Sequence, residues 1–248
     1  MSIPRVQTFS SLLTARSASP RAVVHAWDLP TRLFKWALVV MIVIAWVSTR
    51  FSDPDMKVHK LAGYGILVLV LYRLFWGAVG GSTARFSSFV RSPSRAIAYL
   101  REARKGTTKP YLGHNPAGGL MILALLFACF IQAVLGLFAT DGVTASGPLA
   151  DIVGDTISTF ASRLHGAWFY LILALAIVHI AANLYYQFIK GEDLIGPMIT
   201  GRKKAAAYQD ALAAEPGSLA VAALCLLLAS AIVYFGVTAW GGSLLGEL

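Results

Sequence analysis

Charged side chains are scarce in this chain of 248 residues: Asp, Glu, Lys and Arg together make up 13 %, against 57 % hydrophobic residues. Soluble domains carry about 25 % charge. That deficit excludes an ordinary soluble fold, and a mean hydropathy of +0.66 points to a membrane. Cysteine is nearly missing too. Cys129 and Cys225 lie far apart in apolar runs, the setting of small core residues. Two cysteines leave an iron–sulfur cluster without ligands, and without a Cys-x-x-Cys-His motif no cofactor can be attached through thioether bonds. No apolar run precedes the first long hydrophobic segment, so a cleavable signal peptide is not expected.

What the chain does contain is five apolar stretches, near Leu33–Thr49, Val58–Val79, Ala117–Phe138, Leu164–Phe188 and Leu219–Trp240. Crossing a hydrocarbon core takes about 20 helical residues. None of the five alternates like a barrel strand, and a lipid-exposed segment must satisfy its own backbone hydrogen bonds, so all five are expected to be helices. The expected fold is all-α and integral to the membrane: a four-helix bundle with one additional, peripheral C-terminal helix. Residues 1–24 form an N-terminal extension, 25–204 the four-helix unit, and 205–248 a linker and the fifth helix. Between the two hairpins, the loop from Gly80 to Pro116 has room for an amphipathic surface helix over Arg91–Lys105, with Ile97, Tyr99 and Leu100 as a weak apolar face; the alternative is a solvated basic linker.

The net charge of +9 is distributed by loop. Arg5, Arg16 and Arg21, the run from Arg85 to Lys109, and Lys190, Arg202, Lys203 and Lys204 are basic. On the other side Asp53 and Asp55 offset Arg50 and Lys57, and Asp141, Asp151 and Asp155 meet only Arg163. This pattern belongs to membrane topology rather than nucleic-acid binding. By the positive-inside rule it puts the N-terminus in the cytoplasm and the C-terminus outside, with basic side chains free to touch anionic lipid. Trp27, Trp36, Trp46, Trp76, Trp168 and Trp240, near the expected helix ends, read as interface anchors.

Ionisable groups at membrane depth are costly and rarely kept without a use. His59, His165 and His179 are such groups. His165 and His179 are fourteen positions apart on one expected helix, within about 40° of the same face and roughly 21 Å apart along the axis. One helix can thus serve two stacked haems. His59 opens the second helix from the side where His165 enters the fourth, so these imidazoles should meet at similar depth as a bis-histidine haem site. Gly63, Gly65 and Gly166 would let a porphyrin approach closely. The plainer reading is that these histidines hydrogen-bond neighbouring helices. His179 needs a partner, and at its depth the first helix offers Lys35.

The run Trp27-Asp-Leu-Pro-Thr-Arg-Leu-Phe-Lys-Trp36, His59-Lys-Leu-Ala-Gly63, Tyr111-Leu-Gly-His-Asn-Pro-Ala-Gly-Gly119 and the His165/His179 pair resemble bacterial cytochrome b561 and the related cytochrome b subunits of nickel–iron hydrogenases. The resemblance covers about residues 24–204. It implies a four-helix core with two b haems, the outer one between His59 and His165 and the inner one between His179 and a first-helix histidine. The position where the family carries that histidine is Lys35 here. Three readings follow: a neutral lysine amine ligates the iron, its deprotonation helped by burial; a charged lysine pairs a haem propionate or lipid phosphate and leaves the iron open; or the inner haem is lost or held by another ligand, with His25 and His114 as alternatives.

His25 reads as a surface residue. His114 either touches an inner haem propionate or quinone head group, or belongs to a capping Gly-His-Asn-Pro turn. Arg73, and likewise Arg32, either neutralises haem propionates or snorkels to lipid phosphate. Gln132 either bonds a haem edge or quinone carbonyl, or makes an interhelical hydrogen bond. The expected function is electron transfer across the bilayer between the quinone pool and a periplasmic redox partner such as a c-type cytochrome, quinone and partner being supplied by the resemblance. One alternative is superoxide oxidation with quinone as acceptor, Lys57 and Lys60 attracting the anion. The other is a haem-free membrane anchor.

Overall fold

The computed structural model describes residues 23–51 and 56–239; the extension over 1–22, Asp53, Asp55 and Trp240 lie outside the described residues. In chain order the elements are β1 (Val23–His25), α1 (Leu29–Ser48), α2 (Lys57–Val79), α3 (Phe86–Phe89), α4 (Pro93–Arg104), α5 (Pro116–Leu137), α6 (Ala150–Phe188), α7 (Gly196–Thr200), β2 (Arg202–Lys204) and α8 (Leu219–Thr238). Five of them, α1, α2, α5, α6 and α8, are long and apolar enough to cross a membrane.

Helix starts follow local chemistry rather than hydropathy. α1 begins four residues before the apolar run because the Asp28 side chain accepts from Thr31 N at 2.9 Å and Pro30 pre-sets the first turn. α5 starts the same way, with Asn115 as cap and Pro116 at its first position. The largest departure is α6, which starts fourteen residues before the expected Leu164. Its 39 residues, interrupted at Gly154 (φ 74°, ψ 166°), exceed what a bilayer requires. Its first turns lie beyond the apolar run, where Ser162 Oγ donates to Thr140 O at 2.6 Å and ties the helix to the α5–α6 loop.

α2 is the centre of the bundle, packed by α1, α5 and α8. Ile66, Leu67 and Val70 join Ala128, Cys129, Ala133 and Ile172 in the main core. The fifth helix is more than peripheral. Ala222, Cys225, Ala229, Val233 and Val237 form a stripe buried in the core, while Leu224, Leu227 and Phe235 are exposed on its other side. Small residues on that stripe allow the close backbone approach by which membrane helices associate. Cys129 and Cys225 are both buried and free, as small core residues.

Only some tryptophans lie at an exposed boundary. Trp36 and Trp46 are nearly half exposed, but Trp27 and Trp76 are buried, and the Trp76 indole donates to Thr31 Oγ1 at 3.1 Å. Trp168 donates to Ala128 O at 2.9 Å and joins α6 to α5. The anchor expectation therefore fails for Trp27 and Trp76, because each of these rings fills a gap between elements that hydropathy treats separately. α4 is the expected surface helix, but it turns Ala96, Tyr99 and Ala103 inward and leaves Ile97 and Leu100 half exposed. Tyr99 Oη lies 3.0 Å from Tyr186 Oη and pins α4 to α6.

At the Trp27 end a short antiparallel ribbon pairs β1 with β2, Val24 opposite Lys203. The Lys203 ammonium leaves water to donate to Tyr111 O at 2.8 Å, and Asp210 accepts from Leu112 N and Gly113 N at 2.6 and 2.9 Å. The post-α6 segment is thereby locked onto the Tyr111–Asn115 turn.

Candidate functional site

Two clusters of nitrogen bases lie at opposite ends of the bundle. The first is built where α1 ends and α2 begins. A helix leaves its last four carbonyls without intrahelical partners, and in α1 one of these is Ala45 O, which takes His59 Nδ1 at 2.8 Å. From the other side, His165 Nδ1 lies 3.0 Å from Gln132 O on α5. A carbonyl only accepts, so both Nδ1 atoms carry the proton and each Nε2 is left as an acceptor, that of His165 facing the Gln132 amide. Such fixing of tautomer and ring by a backbone carbonyl is the usual support of a metal-bound imidazole.

The two rings face each other with centroids 6.0 Å apart and planes at 76°. Two imidazole–metal bonds of about 2 Å, end to end, place ring centres about 6 Å apart. Two cavities, of about 450 and 220 Å³, adjoin this gap; both are lined by His59, Gly63, Ala133 and His165. Their size falls within the range of cofactor pockets. Nothing lies within 4 Å of where a Cβ on Gly63 or Gly166 would be, and both glycines line the larger cavity. Gly65 behaves differently: a Cβ there would meet Met41 Sδ at 3.2 Å, so it serves α1–α2 packing instead of a porphyrin face. Gln132 makes the interhelical hydrogen bond, its Nε2 lying 3.2 Å from His165 Nε2, and its Oε1 is buried without a partner.

Among the described residues no group of three or more His, Cys, Asp or Glu side chains could hold a bare metal ion. Two opposed imidazoles beside a cavity lined in part by Gly63 and Gly166 suit a different cofactor, one whose own macrocycle supplies the remaining donors.

The second cluster lies at the Trp27 end. His114 sits between Trp27 and Phe89, with ring centroids 4.9 and 5.0 Å away. Burial holds its pKa well below the ordinary 6.5, and the charges of Lys35, Arg73, His179 and Lys203 push in the same direction. Four nitrogen-bearing side chains thus act electrostatically on His114. The Lys35 charge acts on His179, whose Nε2 meets Asn183 Nδ2 at 3.2 Å. Asn115, not His114, caps α5, by accepting from Gly118 N at 2.7 Å.

Arg73 does not snorkel to lipid. It is 2 % exposed, donates to Ala84 O at 2.9 Å and lies over the rings of Phe86 and Phe89 at 4.8 and 5.9 Å. Gly77 makes room for this arrangement, since a Cβ there would collide with Phe86. Arg73 Nη1 is buried with no hydrogen-bond partner, as is Arg32 Nε. His25 is exposed on β1, opposite Arg202.

The prokaryotic cytochrome b561 family profile matches residues 26–201. The chain belongs to this family. Among its relatives, the probable Ni/Fe-hydrogenase B-type cytochrome subunit of Azotobacter chroococcum mcd 1 is 24 % identical over 216 residues, covering 73 % of this chain and 88 % of the relative. The proteins of the same description from Azotobacter vinelandii and Rhodobacter capsulatus are each 23 % identical over 218 residues, covering 73 % and 74 % of this chain and 88 % and 82 % of theirs. No solved structure matches. Family and spans together make this cytochrome b561 a multi-pass bacterial membrane protein, a haem b electron-transfer subunit. The match ends before α8, so the helix that closes the core over α2 lies outside the shared region.

The sequence singles out His59, His165, His179, Lys35, Arg73 and His114, and the structure sets His59 against His165 at one end of the bundle. Sequence reasoning missed Gly136, where a Cβ would stand 3.1 Å from His165 Cε1. It also missed the carbonyls of Ala45 and Gln132, which have no residue-type signal. Gly136, four residues after Gln132 on one helix face, was the legible clue.

Proposed function

We propose that this chain is a di-haem cytochrome b that carries electrons across the bilayer between a quinone pool and a redox partner on the His59 side, such as a c-type cytochrome. The carrying observation is the His59–His165 pair, with centroids 6.0 Å apart and both Nδ1 atoms held by backbone carbonyls. In this reading His59 and His165 hold one haem b by Nε2, and Lys35 and His179 hold a second at the Trp27 end. Haem b, when bound, supplies a one-electron centre whose potential depends on axial ligands and burial. The residues do the rest. Ala45 O and Gln132 O keep the imidazoles in the ligating tautomer, and the glycine faces admit a flat ring while the packed helices exclude water. Arg73, with Nη1 unpaired, offers an anionic propionate a charge-assisted hydrogen bond.

His165 and His179 stand about 21 Å apart along α6, which spaces the two sites through the depth of the membrane. The basic loops gather at the Trp27 end, so the positive-inside rule turns that end to the cytoplasm and the His59 end to the periplasm. The hydrogenase-subunit descriptions of its relatives support a protein redox partner. The superoxide reading is weaker, because Asp141 lines the smaller cavity beside Lys60 and opposes the approach of an anion.

Haem per polypeptide, measured on the purified protein, tests the assignment. Two haems are expected in the wild type and one after His165→Ala, with the bis-histidine signal lost from the low-temperature spin resonance spectrum. A colourless wild type, or a variant with full pigment, rejects it.

A further inference from the structure

The larger cavity beside the His59–His165 gap is lined by apolar Ile66, Cys129, Ile172 and Leu173, with Gln132 as a polar group among them. The rim carries Thr49 and Arg50. Histidines aside, Arg50 is the one charged residue lining this cavity among the described residues. Arg50 lies two residues beyond the end of α1, where its backbone N–H continues the turn by donating to Val47 O at 2.9 Å. Its guanidinium stands 5.7 Å from the ring centroid of Trp46, which lines the same cavity. The side chain is therefore steered by an aromatic face of its own helix. The smaller cavity differs in charge, since its rim sets Lys60 against Asp141.

A haem has one anionic edge, carrying two carboxylates, and three apolar edges. Carboxylates inside hydrocarbon are costly, so that edge must turn toward the boundary and toward a cation without a competing acid. Among the described residues the rim with Arg50 meets both conditions, and the rim with Asp141 fails the second. We propose that Arg50 is the propionate anchor of the His59–His165 haem, fixing the anionic edge of the ring on the α1 side. This rests on the haem reading of the histidine pair. An arginine fork matches carboxylate geometry in a way that a point charge does not. The anchor also tunes the centre, because a nearby positive charge favours the reduced, less positive iron. Arg50 thus helps to set the potential at which the site accepts an electron.

The test compares Arg50→Gln, Arg50→Lys and Lys60→Gln in the full-length haem-loaded protein, reading the midpoint potential of the His59–His165 centre and the rate of haem transfer to apomyoglobin. Arg50→Gln should lower the potential by the equivalent of about tenfold in the reduction equilibrium, ~59 mV for one electron, and speed haem transfer severalfold. Arg50→Lys should recover most of the potential but little of the retention, while Lys60→Gln leaves both near wild type. The proposal is overturned if Arg50→Gln changes neither reading, or if Lys60→Gln produces the shift instead. A wild type without haem would fail the underlying assignment, not the anchor, and haem counting before the titration separates the two.

Discussion

Gly136 and His165 fit so closely that a Cβ on the first would lie 3.1 Å from Cε1 of the second. The imidazole reaches Gln132 O because one turn later on α5 there is no side chain in its way. A backbone feature of one helix therefore fixes an imidazole on another.

Gly136→Ala should push the His165 ring off the Gln132 carbonyl. The Nδ1 donor bond lengthens, and an orienting partner of this kind is worth about 10–100-fold in metal affinity when lost. Haem content and the spin resonance g-values of the His59–His165 centre report it. A variant with wild-type g-values and full haem would show that the close fit is incidental.

Lys35 and His179 carry the second prediction. If the amine ligates iron, Lys35→Met should alter one of two spectral components and leave the His59–His165 signal untouched. Lys35→His should convert that component into a second bis-histidine centre. Identical spectra for all three proteins would remove Lys35 from the coordination sphere.

Lys203 belongs to the basic cluster at the Trp27 end, yet it is 9 % exposed and bonded to Tyr111 O and Leu112 O. Lys203→Met should leave two buried carbonyls short of a donor, at about 1–3 kcal/mol. Lys204→Met, at the exposed neighbouring position, should cost far less. Thermal unfolding in detergent measures the difference, and equal melting points would show that the ribbon contributes nothing.

Asp141 organises the α5–α6 turn by accepting from the N–H groups of Val143, Thr144 and Ala145. These bonds hold its pKa down to about 2, against 3.8 ordinarily. The folded value is the depressed one, so the stabilisation is complete above 3.8 and is lost as pH falls from there through about 2. Asp141→Ala should be less stable than wild type at neutral pH, and the gap should close across that acid window. A gap that stays constant down to the lowest pH would mean that the carboxylate charge is irrelevant.

Some of this protein was legible residue by residue. The five spans follow from hydropathy, since lipid admits only segments that satisfy their own backbone. The fourteen-residue spacing of His165 and His179 fixes their common face through helix geometry alone. Other features were not visible, because they depend on which distant backbone happens to face a side chain. Nothing local separates Lys203 from Lys204, or Trp76 from Trp46, and hydropathy does not tell that α8 closes the core over α2. The sequence by itself determined where the helices cross and which bases they carry. Only the tertiary structure decided that the carbonyls of Ala45 and Gln132 aim two imidazoles at one gap, because hydrogen bonds between separate helices depend on packing and leave no period in the chain.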